Sequence, residues 1–371
     1  MNKVLLLFAF SFISTTAKPQ SEYYGVREGV VHIPDSLTYS TSLIAGYIHS
    51  HFSSDSKMIR AIYSWVVSNI KYDKDSANEI NLGVDPEAKI TLALKRRRGV
   101  CENYAAIFND ICIKAGLPSF VVNGYTKQMG MVDKTGHSWC AVLVNGSWGL
   151  YDPTWDESNG MNLKYFMMAP AEFIETHMPY DPIWQLLNKP VTHQQFNSGN
   201  IFNNKNQYFN YTDSIAAYME MDSLHKFKSS AARIQKDALY NSMVRNNNNI
   251  IKMNIEMINQ DRDVELYNSS VAGINDATTD YNHFVEYRNQ QFKPKKSDGE
   301  LFGLLDEMEN KLLVSLKKLD QVDHSDATFI LGTEPVRYRI VQLMSRIKEQ
   351  KDFVIRYTAA DEKAREILFY K

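Results

Sequence analysis

Between about residues 22 and 190 the apolar positions switch between helical and alternating spacing, with Gly and Pro separating the segments. Ala61–Ile70 carries Ile62, Trp65, Val66 and Ile70 at steps of three and four, which predicts an amphipathic helix. A second helix is predicted from Cys101 to Lys114, stopped by Ala115-Gly116-Leu117-Pro118. Ser119–Tyr125 predicts a strand, and Ser138–Tyr151 predicts two strands around Asn145-Gly146. From about 188 to 212 the chain is polar and Asn-rich, as a linker or long connection would be. Beyond it the pattern is helical: Leu301, Leu305, Met308, Leu312, Leu316 and Leu319 form one stripe, and Val336, Ile340, Leu343 and Ile347 another. Asn246–Asn249 and Lys293-Pro294-Lys295-Lys296 read as solvated connections between helices.

Composition sharpens this division. All five tryptophans, all three cysteines and nine of the eleven prolines precede residue 191, so the two halves are different kinds of protein. The 371 residues are 44% hydrophobic and 23% charged, which is globular rather than fibrous or disordered. A net charge of −2 and the lack of a basic, aromatic-interleaved patch argue against a nucleic-acid partner.

The first residues suggest a compartment. Lys3, the apolar run Val4–Phe10 and the small-residue stretch Ser14–Ala17 have the order of a secretory leader, expected to end at residue 17. The apolar run is shorter than the ~20 residues of a membrane span. The expectation is an exported protein, periplasmic or extracellular, with no membrane span.

Chemistry concentrates between Arg96 and Trp155. A glycine two residues before Cys101, followed by an apolar helical pattern, places that cysteine at a helix N-terminus, where free N–H groups and the helix dipole favour a thiolate. Asn145-Gly146 is the favoured pair for a two-residue type I′ turn, which sets Val144 opposite Ser147. Continuing that register brings His137, Trp139 and Asp152 onto one face, with imidazole and carboxylate as diagonal neighbours. A helix-end cysteine, an imidazole and an acid follow the logic of a thiolate–imidazolium pair oriented by a carboxylate. If the Cys101 helix packs on the His137 face, Cys140 points away from it; a Cys112–Cys140 disulfide and a zinc site using Cys140 are both disfavoured.

These residues resemble the transglutaminase-like superfamily. Gly99-Val100-Cys101-Glu102-Asn103-Tyr104-Ala105 is similar to its nucleophile motif, Gly136-His137-Ser138-Trp139 to its histidine motif, and Tyr151-Asp152-Pro153-Thr154-Trp155 to its aspartate motif. Trp65–Asp73 resembles the helix usually found upstream. Tyr165-Phe166, and His177-Met178-Pro179 through Gln185-Leu186-Leu187, are similar to segments of the kyphoscoliosis-peptidase and cytokinesis-protein branch. The resemblance implies an α+β fold, a papain-like core with an antiparallel sheet packed on the nucleophile helix, here followed by an all-α domain. The expected division is a leader at 1–17, a catalytic domain at 18–190, a connection at 191–212 and a helical domain at 213–371.

The resemblance further implies Cys101 as nucleophile, His137 as general base and then acid, and Asp152 as the group orienting the imidazole. The backbone N–H of Cys101 is an oxyanion candidate, and Trp139 and Tyr104 are candidates for substrate binding or oxyanion contact. No metal and no cofactor are called for. The expected activity is attack on an amide of a protein or peptide, a cell-wall peptide among the options, through a thioester. The alternative is a catalytically silent scaffold. The helical stripes fit either a monomeric bundle or a homo-oligomer.

Overall fold

The structure, a computed structural model, describes residues 31–75, 85–160, 162–201, 206–237, 240–322 and 327–370. The expected leader lies outside them. Helices α1 (Thr41–His51) and α2 (Asp55–Asn69) come first, followed by the short strand β1 (Lys71–Tyr72), α3 (Pro86–Arg96), β2 (Arg98–Gly99) and α4 (Cys101–Lys114). Strands β3 (Ser119–Gln128), β4 (Met131–Val144) and β5 (Ser147–Tyr151) follow, then α5 (Pro153–Ser158), β6 (Phe166–Met168), α6 (Pro170–Phe173), β7 (His177–Pro179), α7 (His193–Ser198) and α8 (Tyr211–Glu220).

The main sheet is antiparallel in the order β6-β5-β4-β3-β7. Its centre is the β4–β5 hairpin, in which Asn145 and Gly146 have φ of 49° and 78°, the positive pair a type I′ turn requires. Val144 pairs with Ser147 and Cys140 with Tyr151, the predicted register. The predicted strands are longer in the structure: β3 continues to Gln128, and β4 begins at Met131.

Both faces of the sheet are covered. One carries Cys140, Val142 and Tyr151 into a core with Ile44, Trp65, Phe108 and Cys112 from the helices. The other carries Val122, Trp139, Ala141 and Leu150 into a core with Phe173, Ile183, Trp184 and Ile215. Helix α4 therefore packs on the Cys140 face, opposite to expectation: the Cys140 thiol lies 3.2 Å from the Ala105 carbonyl. A period of two fixes which residues share a face but not which face a helix covers. Cys112 and Cys140 share one core and all three cysteines are free; burial pushes the Cys112 and Cys140 thiols up.

The chain divides into a unit of residues 1–220 with 232–247 and a unit of 221–231 with 248–371. The first of these units runs past residue 190, where the expected catalytic domain ends. Residues 191–198 are no free linker: Thr192 caps α7, whose His193 ring lies 3.0 Å from the Tyr125 hydroxyl, and Asp181 binds Arg233 through two hydrogen bonds. Polar side chains with buried partners look like a linker in sequence yet fasten the segment to the core.

The remaining elements are helical: α9 (Ser223–Gln235), α10 (Ser242–Asn289), α11 (Asp298–Leu319), α12 (Ala327–Ala359) and α13 (Glu362–Leu368). In the second unit, Ile274, Ala277 and Phe284 of α10 meet the two predicted stripes, of which Leu301, Leu305, Met308, Leu312, Leu319, Val336, Ile340, Leu343 and Ile347 are buried. Asn246–Asn249 is no connection but part of α10, with Asn248 buried; tertiary packing overrides the weak helix propensity of asparagine. No helix of the described residues is long and apolar enough to cross a membrane.

Candidate active site

The helix carrying Cys101 starts where it does for local reasons. Asn103 Oδ1 accepts from the Val100 N–H at 3.0 Å, closing the first turn. A Cβ on Gly99 would stand 2.6 Å from Asn103 Cβ, so the capping asparagine demands glycine at 99. Parallel pairing of Tyr72 with Gly99 holds this turn beside the end of α2, and the Tyr104 hydroxyl donates to the Ile70 carbonyl at 2.7 Å. Cys101 is thus presented, half-buried, on a braced helix N-terminus.

His137 lies three residues beyond the last β4–β5 pair, Cys140 with Tyr151, at the end of the sheet where the chain turns from β5 into α5. Asp152 makes that turn as the N-cap of α5, its Oδ1 accepting from the N–H groups of Thr154 at 2.9 Å and Trp155 at 3.2 Å. Its Oδ2 lies 2.7 Å from His137 Nε2, which leaves Nδ1 as the free ring nitrogen, and Cys101 lines the same cleft wall as that ring. The three residues named from the sequence are brought together at the helix end rather than on its flank.

Electrostatics separate the groups. Burial pushes the Asp152 carboxyl up, but the charge and hydrogen bond of His137, with a second histidine, more than offset this and hold it well below the usual carboxylate range. Burial pulls His137 down, yet the Asp152 carboxylate and Cys101 raise it well above an ordinary imidazole. A protonated His137 beside an ionised Asp152 is the favoured state.

The second histidine is His177 on β7, which in the sequence stands out only as part of the His177–Leu187 segment. Its Nε2 lies 3.1 Å from Asp152 Oδ2. No local periodicity signals this contact, since it depends on β7 pairing with β3. Gly124 permits the approach: a Cβ there would meet the Met178 carbonyl at 2.2 Å and the Trp139 ring at 2.4 Å. Burial among aromatic rings lowers His177 to about 4, against the pull of Asp152.

Trp139 and Tyr104 do not enter the cleft. Both are fully buried: Trp139 packs with Phe173 and the edge of His177, and Tyr104 braces α4 on α2. The cleft, about 730 Å³, is lined instead by Cys101, His137, Tyr72, Trp155, Lys164 and Tyr165, with Thr126, Asp133 and Thr176 among other polar groups.

Among the described residues one group could hold a cation: His137, Asp152 and His177. Both ring nitrogens approach one carboxylate oxygen at 2.7 and 3.1 Å, which is hydrogen-bond spacing with that oxygen as shared acceptor.

Behind Asp152, the Tyr63 hydroxyl lies 2.6 Å from Asp156 Oδ2 and 2.8 Å from the Asp152 carbonyl, and the Tyr165 N–H donates to Asp156. Burial raises Asp156 to about 6, against these hydrogen bonds. Tyr63→Phe is expected to lower stability by about 1–3 kcal/mol, since two buried acceptors each lose their shortest hydrogen bond. Urea unfolding checks this; a loss under about 0.5 kcal/mol would show that the hydroxyl braces nothing.

Residues 44–153 match the transglutaminase-like superfamily model. Kyphoscoliosis peptidase of Mus musculus is 35% identical over 176 residues, covering 42% of this chain and 25% of that protein. Hillarin of Drosophila melanogaster is 26% identical over 175 residues, covering 39% of this chain and 20% of that protein. The chain thus spans about a quarter of the one relative and a fifth of the other. A solved structure described as a TGase aligns at 20% identity with a TM-score of 0.24, over 32% of this chain and 31% of that chain. Residues 44–153 thus form a transglutaminase-like domain, and the chain is similar over about two fifths of its length to kyphoscoliosis peptidase and hillarin.

Proposed function

We propose that this protein is an exported cysteine enzyme that attacks an amide carbonyl of a protein or peptide. The observation that carries the reading is the His137–Asp152 pair, 2.7 Å apart, with His137 and Cys101 together in the wall of an open cleft. Export is supported by the leader-like pattern of Met1–Ala17.

In this reading Cys101 Sγ, its proton on His137, bonds to the amide carbon, and the carbonyl electrons move to oxygen. The Cys101 backbone N–H, at the start of α4, receives the oxyanion. As the carbon–nitrogen bond breaks, His137 delivers its proton to the leaving amine, leaving a thioester on Cys101. Water or a second amine then gives its proton to His137 and attacks the thioester, so that the acid or new amide departs and the thiol returns. Asp152 holds the ring in the tautomer that both halves need.

The test uses p-nitrophenyl acetate, which transfers its acetyl group to a reactive thiol and releases p-nitrophenol. The parent is expected to be acetylated at Cys101, located by peptide mass spectrometry, with Cys101→Ala losing the fast phase while keeping its circular dichroism spectrum. Equal acetylation of parent and Cys101→Ala would leave a silent binding protein as the better reading.

A further inference from the structure

The Asp152 carboxylate is served by four donors, and one of them has no place in a three-residue mechanism. Oδ1 takes the Thr154 and Trp155 N–H groups; Oδ2 takes His137 and His177. His177 reaches the acid from a strand on the far edge of the sheet, while His137 comes from its centre. Its ring is fully buried, with ring centroids 4.1 Å from Phe173 and 4.3 Å from Trp155, so it touches no substrate. The ring is held from the other side as well: Thr176 Oγ1 lies 2.8 Å from His177 Nδ1 and 3.4 Å from the Phe173 carbonyl. An ionised Asp152 can only accept, so its Oδ2 at 3.1 Å requires the proton of a neutral His177 ring on Nε2.

We propose that His177 is a positioning residue: its Nε2–H fixes Asp152 Oδ2 and divides that oxygen between two rings, limiting how strongly the acid holds the proton on His137. The inference rests on the proposed acid–base role of His137. The physical argument is one of balance. A dry carboxylate facing His137 alone would depend on that imidazolium for its stabilisation and would hold it charged. His137 must nevertheless give a proton to the leaving amine and take one back from the nucleophile of the second step. A neutral second donor stabilises the carboxylate without adding charge, so His137 keeps its partner yet can release its proton. The aromatic box supplies the neutrality, since burial opposes charging of His177. The other titratable groups facing these rings and the acid are Cys101 and Cys140, Tyr63, Asp156, Tyr165 and Asp133.

The experiment follows the histidine ring nitrogens of the full chain by NMR against pH, alongside p-nitrophenyl acetate turnover. In the parent, His177 is expected as a neutral Nε2–H tautomer from pH 5 to 9; an Nδ1–H tautomer, or titration near the ordinary value of about 6.5, overturns the proposal without any variant. His177→Phe, which keeps an aromatic ring but removes the donor, is expected to move the His137 midpoint up by roughly half a pH unit or more. It should also lower kcat about tenfold or more with KM nearly unchanged. His177→Gln, which restores an N–H donor, should return both toward the parent. A folded His177→Phe variant with the parent's His137 midpoint sinks the proposal. Should the parent not acetylate Cys101, the NMR arm still decides whether His177 governs His137, so the two readings fail separately.

Discussion

Asp152→Asn should reduce acetylation of Cys101 by about 10³–10⁴-fold and destabilise the fold as well. The hydrogen-bond inventory at this side chain is the reason. All four of its contacts are donors aimed at oxygen, two backbone N–H groups at Oδ1 and two imidazoles at Oδ2. An asparagine brings one oxygen and one NH₂ group, and either orientation sets that NH₂ against two donors. Turned toward the helix, it collides with the N-cap of α5. Turned toward the rings, it forces His137 to present a lone pair at Nε2 and carry its proton on Nδ1, where it faces Cys101 as a donor instead of receiving the thiol proton. The same change removes the negative partner of a buried imidazolium, a loss typically of about 3–5 kcal/mol. Single-turnover acetylation measures the first effect and urea unfolding the second. A variant within tenfold of the parent in acetylation would show that Asp152 does not orient His137.

Much of this site was legible from local rules. The start of α4 at Cys101 follows from a capping asparagine with a glycine that makes room for it, and the hairpin register from two residues that tolerate positive φ. Because pairing across a tight turn is arithmetic, His137 and Asp152 could be set near each other without knowing the rest of the sheet. What stayed hidden needs long-range packing. Whether α4 covers the Cys140 face or the Trp139 face depends on which core has room for it, and alternation along one strand is symmetric between the two. Trp139 shares a face with His137, as expected, but that face is roofed by Phe173, Ile183 and Trp184, so sharing it gives no access to the cleft. His177 could be found only once the short strand β7 was known to add to β3, from about fifty residues away in the chain. The aromatic wealth of the first half, which marked it as the chemical half, turns out to serve burial of the acid as much as the cleft.

The stability of this core should fall as the pH drops from about 6.5 to 4, and His177→Gln should flatten that fall by an amount on the order of 3 kcal/mol. His177 titrates at about 4 in the fold and near 6.5 when unfolded, so the unfolded chain binds the proton more tightly. Above pH 6.5 both states are neutral there and the contribution is complete. Below it, protonation favours unfolding, and the contribution disappears by about pH 4, where the folded ring also charges. His137 does not confuse this window: its value is raised, so its contribution is full below about 6.5 and is lost only as the pH rises. Asp156 acts against His177, because an acid raised from 3.8 to about 6 gains stability as it protonates between those values. The parent alone therefore shows a blunted acid limb, and the difference between parent and His177→Gln isolates the imidazole, since glutamine does not titrate. Tryptophan fluorescence during urea unfolding is the fitting probe, as all five tryptophans lie before residue 191 and report only the unit that holds His177. Parallel pH profiles for the two proteins would mean that His177 is charged in the fold or already unprotonated when unfolded, and its neutral, buried role at Asp152 would be lost.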